Sequence, residues 1–173
     1  MRHAALIESA YSHVQYLEIR EEDRFCASPP MFHSLGSIGS VLTTLLGGAC
    51  LVCFSRANDE TMFEILENEK CTVLCSVPTI FIRLINTIKE RNWDCSKLKI
   101  RVCTTAGSAC PTYILREMKT VLGASSVISM YGMTEAGPGI TSTASDDSMT
   151  TIETTVGYFW PGIEWKIQDL VTG

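Results

Sequence analysis

Three short segments carry the side chains best suited to chemistry: Pro30-Met31-Phe32-His33, Thr105-Ala106-Gly107-Ser108-Ala109 and Tyr131-Gly132-Met133-Thr134-Glu135. Their residue types suit a nucleotide. Gly107, Ser108 and Ala109 have minimal side chains, so a flat base can approach their backbone closely. Tyr131 offers an aromatic face for offset stacking, and Gly132 lets the chain turn sharply beside it. Thr134 supplies a hydroxyl for a phosphate oxygen. Glu135 supplies an oxygen ligand for Mg²⁺, an ion usually held by one or two carboxylates together with phosphates. Taken singly each feature is more often structural, and the plain alternative for Thr134-Glu135 is a helix N-cap with a first-turn acid.

The elements that must position these segments follow from periodicity. An amphipathic helix is expected over about 4–17, a short strand at Arg24–Ala27, and a small-residue helix at Leu35–Leu46 that stops at Gly47-Gly48. A strand at Ala49–Phe54 precedes a helix at about 60–69, capped by Asn58 or Asp59. The pattern repeats with strands at Thr72–Ser76, Ile100–Thr104 and Ser126–Met130. Between them run helices that Pro78 and Pro111 open. Short strands alternating with longer helices predict an α/β fold, a parallel sheet built of βαβ units. Residues 1–140 make up this parallel region. Residues 141–155, rich in Ser, Thr and Asp, read as a loop. Residues 156–173 read as the start of a small antiparallel β element, with a strand at Glu164–Gln168 and a turn at Val171–Gly173. In open α/β sheets ligands collect beyond the carboxyl ends of the strands, so the three segments are expected on one rim.

Composition narrows the class. The 173 residues hold 14 Lys and Arg against 19 Asp and Glu, a net charge of −5, which argues against a nucleic-acid partner. Hydrophobic residues make up 46% and charged residues only 19%, against about 25% in an average soluble domain, so disorder is excluded. The run from Cys26 to Ser55 lacks any charge, but Pro29, Pro30, His33 and Gly47-Gly48 interrupt it. It reads as buried strand, helix and strand, with no transmembrane span. Most of the eight cysteines, in a chain without a secretion signal, read as small buried thiols in a reducing cytosol, which points to a cytoplasmic protein. Cys50 and Cys53 face opposite sides of a strand, and Cys71 and Cys75 lie too far apart along one to chelate together. His3 and His13 each stand alone on a helix and carry no chemistry.

Taken together, Tyr131-Gly132-Met133-Thr134-Glu135, Ala106-Gly107-Ser108-Ala109 and Pro30-x-Phe32-His33 resemble the adenylate-forming superfamily of acyl-CoA synthetases, aryl-CoA ligases, luciferases and peptide-synthetase adenylation domains. The resemblance runs from His3 to Gly173 and includes Val156–Gly162 and Ile167-Gln168-Asp169. Met133 and Phe32-His33 tilt it towards the acyl- and aryl-CoA ligases. It implies a two-step ligase: a carboxylic acid and ATP give acyl-AMP and pyrophosphate, and coenzyme A then displaces AMP as a thioester.

By that resemblance, Gly107, Ser108, Ala109 and Tyr131 match adenine-binding positions, with Gly132 and Met133 in the same nucleotide motif. Thr134 matches the α-phosphate contact, Glu135 the Mg²⁺ ligand, and His33 a histidine on the carboxylate side. Leu35, Gly39, Pro138 and Gly139 match acyl-pocket positions of plant coumarate ligases, with Gly139 leaving room where a bulkier side chain would close the pocket. Cys110-Pro111 and Met130 depart from residues frequent in relatives, which affects the subfamily more than the superfamily. The family's phosphate loop, its ribose-binding Asp and its C-terminal Lys are not found in the chain. Both ends therefore look cut, and the chain alone is expected to be inactive. Two readings compete with a central fragment of an acyl- or aryl-CoA ligase. One is a peptide-synthetase-type adenylation domain, for which residues 34–48 lack the expected Asp. The other is a non-catalytic nucleotide-binding module.

Overall fold

The computed structural model describes residues 2–54 and 58–169. Along the chain run α1 (His3–Tyr16), β1 (Arg24–Ala27), α2 (Ser34–Gly36), a π-helical turn (Ser37–Leu42) and α3 (Thr43–Leu46). They are followed by β2 (Cys50–Val52), α4 (Asp59–Asn68), β3 (Val73–Ser76), α5 (Pro78–Arg91), β4 (Val102–Thr105) and α6 (Thr112–Thr120). The last elements are β5 (Ser126–Met133), β6 (Gly137–Ser142), α7 (Met149–Thr154) and β7 (Tyr158–Phe159). Among the described residues the strands form one seven-stranded sheet in the order β2-β1-β3-β4-β5-β6-β7. The first five strands pair in parallel, while β5–β6 and β6–β7 pair antiparallel.

The expected parallel α/β sheet is present, and local chemistry explains its helices. Asn58 Oδ1 accepts from the Thr61 N–H at 2.8 Å and caps α4, with Asp59 and Glu60 in its first turn. Pro78 opens α5, which ends at Asn92 in the left-handed conformation. Strands β3 and β4 are buried along their full length, as a central parallel strand should be. Their residues alternate between two cores. Leu74 and Cys103 join Phe81, Leu84, Ile114 and Met118 on one side, whereas Val73 and Val102 join Leu17, Phe25, Leu35 and Ile128 on the other.

Three readings are corrected. The expected loop at 141–155 contains the end of β6 and the helix α7, which Ser148 caps through its Oγ on the Thr151 N–H at 3.2 Å. Glu164–Gln168 forms no strand. Its side chains alternate in polarity, but the segment is exposed and pairs with no other strand among the described residues. The antiparallel element is instead β6 and β7, which extend the main sheet. The expected turn at Val171–Gly173 lies outside the described residues. No helix among the described residues is long and apolar enough to cross a membrane. All eight cysteines are free: four are buried, Cys95 and Cys110 are half-buried, and Cys50 and Cys53 are exposed.

A buried ionic tie holds the sheet at the end opposite the rim. Asp23, just before β1, accepts from Arg101 Nε at 2.8 Å, from Thr72 Oγ1 at 2.6 Å and from the Arg20 N–H at 2.8 Å, and it also pairs with Arg101 Nη2. Thr72 and Arg101 immediately precede β3 and β4, so one carboxylate gathers the start of three strands.

Candidate functional site

The three chemistry-bearing segments meet. His33, Ser34, Leu35, Ala106, Gly107, Gly132, Met133, Thr134 and Pro138 line one cavity of about 150 Å³. Gly107, Ser108, Ala109, Ser129, Met130, Tyr131, Gly132 and Val156 line a second, of about 330 Å³. Gly107 and Gly132 belong to both, so the two spaces share a wall. Tyr131 is half exposed and lines the second cavity.

Strand and turn geometry explain the meeting. β5 runs on through Met133, where a loop was expected after Met130, and a 3₁₀ turn at Thr134–Ala136 returns the chain into β6. Thr134 is therefore part of a tight hairpin and caps no α-helix. Its Oγ1 stands 3.1 Å from Ser34 Oγ, which ties the hairpin to the start of α2. Gly107 follows β4 with φ +92°, a conformation that excludes most side chains.

His33 is the N-cap of α2, and its Nδ1 accepts the Leu35 N–H at 3.1 Å. With Nδ1 acting as acceptor, the neutral ring carries its proton on Nε2, which leaves that nitrogen as a donor on a residue lining the same cavity as Thr134. The helix that follows widens into the π turn. Ser40 Oγ donates to the Leu35 carbonyl at 3.1 Å and Thr43 Oγ1 to the Ile38 carbonyl at 2.8 Å, both buried. These hydroxyls answer carbonyls of the widened turn.

Glu135 is exposed and adjacent to Thr134. Among the described residues no group of three or more His, Cys, Asp or Glu side chains could hold a metal ion. A single carboxylate can hold Mg²⁺ only together with waters and substrate oxygens, since that ion keeps several waters.

Not every expected site residue lines these spaces. Phe32 points to solvent, 94% exposed. Glu135, Gly39 and Gly139 line neither cavity. The room that Gly139 was expected to leave is filled by the Trp160 indole, and beside Gly39 stand Leu35 Cδ1 and His13 Nε2. His13 is fully buried, with Nδ1 on the Ser9 carbonyl at 2.8 Å, and burial lowers its pKa to about 4. Ala106, Met130 and Val156 also line the cavities; the sequence motifs include or adjoin them, but no role was assigned to them. Ser34 and Ser129 line them without having been named. Ser34 had a signal in its position next to His33, and Ser129 is a small strand residue without one.

The profile of the AMP-binding enzyme family matches residues 1–173, the whole chain. The chain belongs to this family. A putative acyl-CoA synthetase, YngI, of Bacillus subtilis (strain 168) is 32% identical over 167 residues, which is 96% of this chain and 30% of that protein. Acyl-CoA ligase SID4 of Ajellomyces capsulatus is 30% identical over 174 residues, 100% of this chain and 29% of that protein. The chain thus spans about 30% of the length of the relatives it matches. Apo MatB from Rhodopseudomonas palustris superposes with a TM-score of 0.87 at 22% identity, covering 100% of this chain and 33% of that one. An anthranilate CoA ligase, AuaEII, in complex with anthranoyl-AMP superposes with a TM-score of 0.85 at 24% identity, covering 96% and 32%. The fold is that of these two proteins.

Proposed function

We propose that this chain is the central part of the adenylating domain of an ATP-dependent acyl- or aryl-CoA ligase. The supporting observation is the shared wall: the cavity with Tyr131 and Ser108 and the cavity with His33 and Thr134 meet at Gly107 and Gly132. A nucleotide whose base stacks on Tyr131 would direct its α-phosphate to Thr134 and the acid under attack to the side of His33. The acid's carboxylate oxygen attacks the α-phosphorus, the bond to pyrophosphate breaks, and acyl-AMP results. The thiol of coenzyme A then attacks the acyl carbon, AMP leaves, and a thioester forms.

This chain's residues act by positioning and by charge, which is where most of the catalysis of phosphoryl and adenylyl transfer lies. Gly107, Ser108 and Ala109 present backbone to the base, and Gly132 and Met133 carry the chain from the base to the phosphate. Thr134 donates to the α-phosphate, and His33 Nε2–H donates to the carboxylate or the acyl phosphate anhydride forming from it. Glu135 would hold Mg²⁺, which neutralises phosphate charge when bound. Leu35 and Pro138 line the acyl side. The eight free thiols support a reducing, cytoplasmic setting.

Acid-dependent exchange of labelled pyrophosphate into ATP tests this reading. The protein that carries this chain should catalyse the exchange, and residues 1–173 alone should not. ATP binding without exchange in the former would favour a non-catalytic nucleotide module. Exchange confined to amino acids would favour a carrier-loading adenylation domain.

A further inference from the structure

One hydrogen bond joins two parts of the first cavity's lining that lie 100 residues apart in the chain. Ser34 Oγ stands 3.1 Å from Thr134 Oγ1, and both residues line that space together with His33. Both hydroxyls stand on segments that other bonds fix. The His33 N–H donates to the Pro30 carbonyl at 3.0 Å, and the Ser37 N–H and Oγ donate to the His33 carbonyl at 2.9 and 3.1 Å. Gly36 lies so near the Pro30 carbonyl oxygen that a Cβ built on it would stand 2.1 Å away. On the hairpin, Met133 pairs with Gly137, and the Gly137 N–H donates to the Thr134 carbonyl, which closes the turn. Serine and threonine each place their oxygen by a single torsion, so an anchored backbone leaves it few positions.

The direction of the bond follows from proton supply. A hydroxyl has one proton to give and two lone pairs with which to accept. By geometry alone either oxygen can be the donor. Once Thr134 gives its proton to a phosphate oxygen it can only accept from its neighbour, so Ser34 becomes the donor. The outcome is a chain from Ser34 to Thr134 to phosphate, in which each bond polarises the next and strengthens it.

We propose that Ser34 is a positioning residue for the nucleotide's α-phosphate: it donates to Thr134 Oγ1 and thereby aims the threonine's proton at the phosphate oxygen. The inference rests on the nucleotide reading of this site. It assigns Ser34 a role that works wholly through Thr134, so the serine hydroxyl matters only when there is a phosphate for the threonine to hold. Because Ser34 directly follows His33, the same bond also fixes the start of α2, where the histidine caps the helix, against the phosphate contact.

The test compares AMP, whose one phosphate is the α-phosphate, with adenosine, which has none. Both are titrated by calorimetry against the protein that carries this chain. Ser34→Ala should weaken AMP binding roughly 3- to 12-fold, the worth of one hydrogen bond, and leave adenosine binding as in the parent. Ser34→Thr, which keeps the hydroxyl, should recover most of that loss. In a Thr134→Val background Ser34→Ala should cost nothing further, because the group it acts through is gone. An unchanged AMP affinity in Ser34→Ala overturns the inference. So does an equal loss for AMP and adenosine, the mark of a merely structural role, and so does a full second loss in the Thr134→Val background. A parent that binds AMP no more tightly than adenosine would instead remove the phosphate contact of Thr134, and this inference with it. That outcome is recognisable before any variant is made.

Discussion

Gly132 lies so close to Pro138 that a Cβ built on it would sit 2.0 Å from the Pro138 carbonyl oxygen. The obstruction is backbone and belongs to the facing strand of the hairpin, so no side-chain rotation can relieve it. Gly132→Ala must push β5 and β6 apart where both cavities are bounded. We expect a loss of about 3 kcal/mol or more, at the upper end of overpacking costs, together with loss of ATP binding. Denaturant unfolding and titration calorimetry on the same variant would check this, and an unchanged midpoint would contradict it.

Tyr131 is the stacking surface of the proposed nucleotide site. Removing an aromatic platform costs about 1–3 kcal/mol per stacked base. Tyr131→Ala should therefore weaken ATP binding roughly 5- to 150-fold, while Tyr131→Phe should bind nearly as well as the parent. Equal affinities for the alanine variant and the parent would place the base elsewhere.

His13 predicts an acid-sensitive stability. Burial holds its pKa at about 4, against 6.5 for the free side chain. Between these values the unfolded chain binds a proton that the folded one refuses, so stability should be full above pH 6.5 and fall as pH drops towards 4. A displacement of that size corresponds to roughly 3 kcal/mol at the bottom of the window. Urea unfolding across this range should show the slope in the parent and a flatter profile in His13→Gln.

Asp23 acts in a lower window. Burial pushes its pKa up, but hydrogen bonds from Arg101, Thr72 and the Arg20 backbone, with the Arg101 charge, outweigh that and leave it below the usual carboxylate value. Its contribution is therefore present above the unfolded pKa near 3.8 and lost as pH falls through the lower folded value. Asp23→Ala strands the Arg101 guanidinium and should cost about 3 kcal/mol at neutral pH. Thermal unfolding of that variant beside Arg101→Met would show whether the cost comes from the uncompensated charge.

Periodicity makes the parallel region readable because each element there buries one face against a layer that the next element supplies. Strands such as Val73–Ser76 and helices opened by Pro78 carry that requirement in their own composition. The rim follows from the same logic, since the carboxyl ends of β1, β4 and β5 must lie on one side of a parallel sheet. The helix Met149–Thr154 is not readable in this way. Its threonines are weak helix formers, and it is held by the Ser148 cap, the burial of Ile152 and an ion pair from Arg116 to Glu153. Glu164–Gln168 shows the converse, a strand-like pattern with no strand beside it. The contact of Gly139 with Trp160 joins residues that no periodicity relates, so a glycine that looks like free volume in the sequence is filled in three dimensions.

Gly107 and Gly132 form the wall common to the two cavities, and neither has a side chain to act as a cushion. An occupant on one side bears directly on the main chain that bounds the other. Whatever free energy base and acid exchange across this partition must be mutual: if the nucleotide tightens the hold on the acid by some factor, the acid tightens the hold on the nucleotide by the same factor.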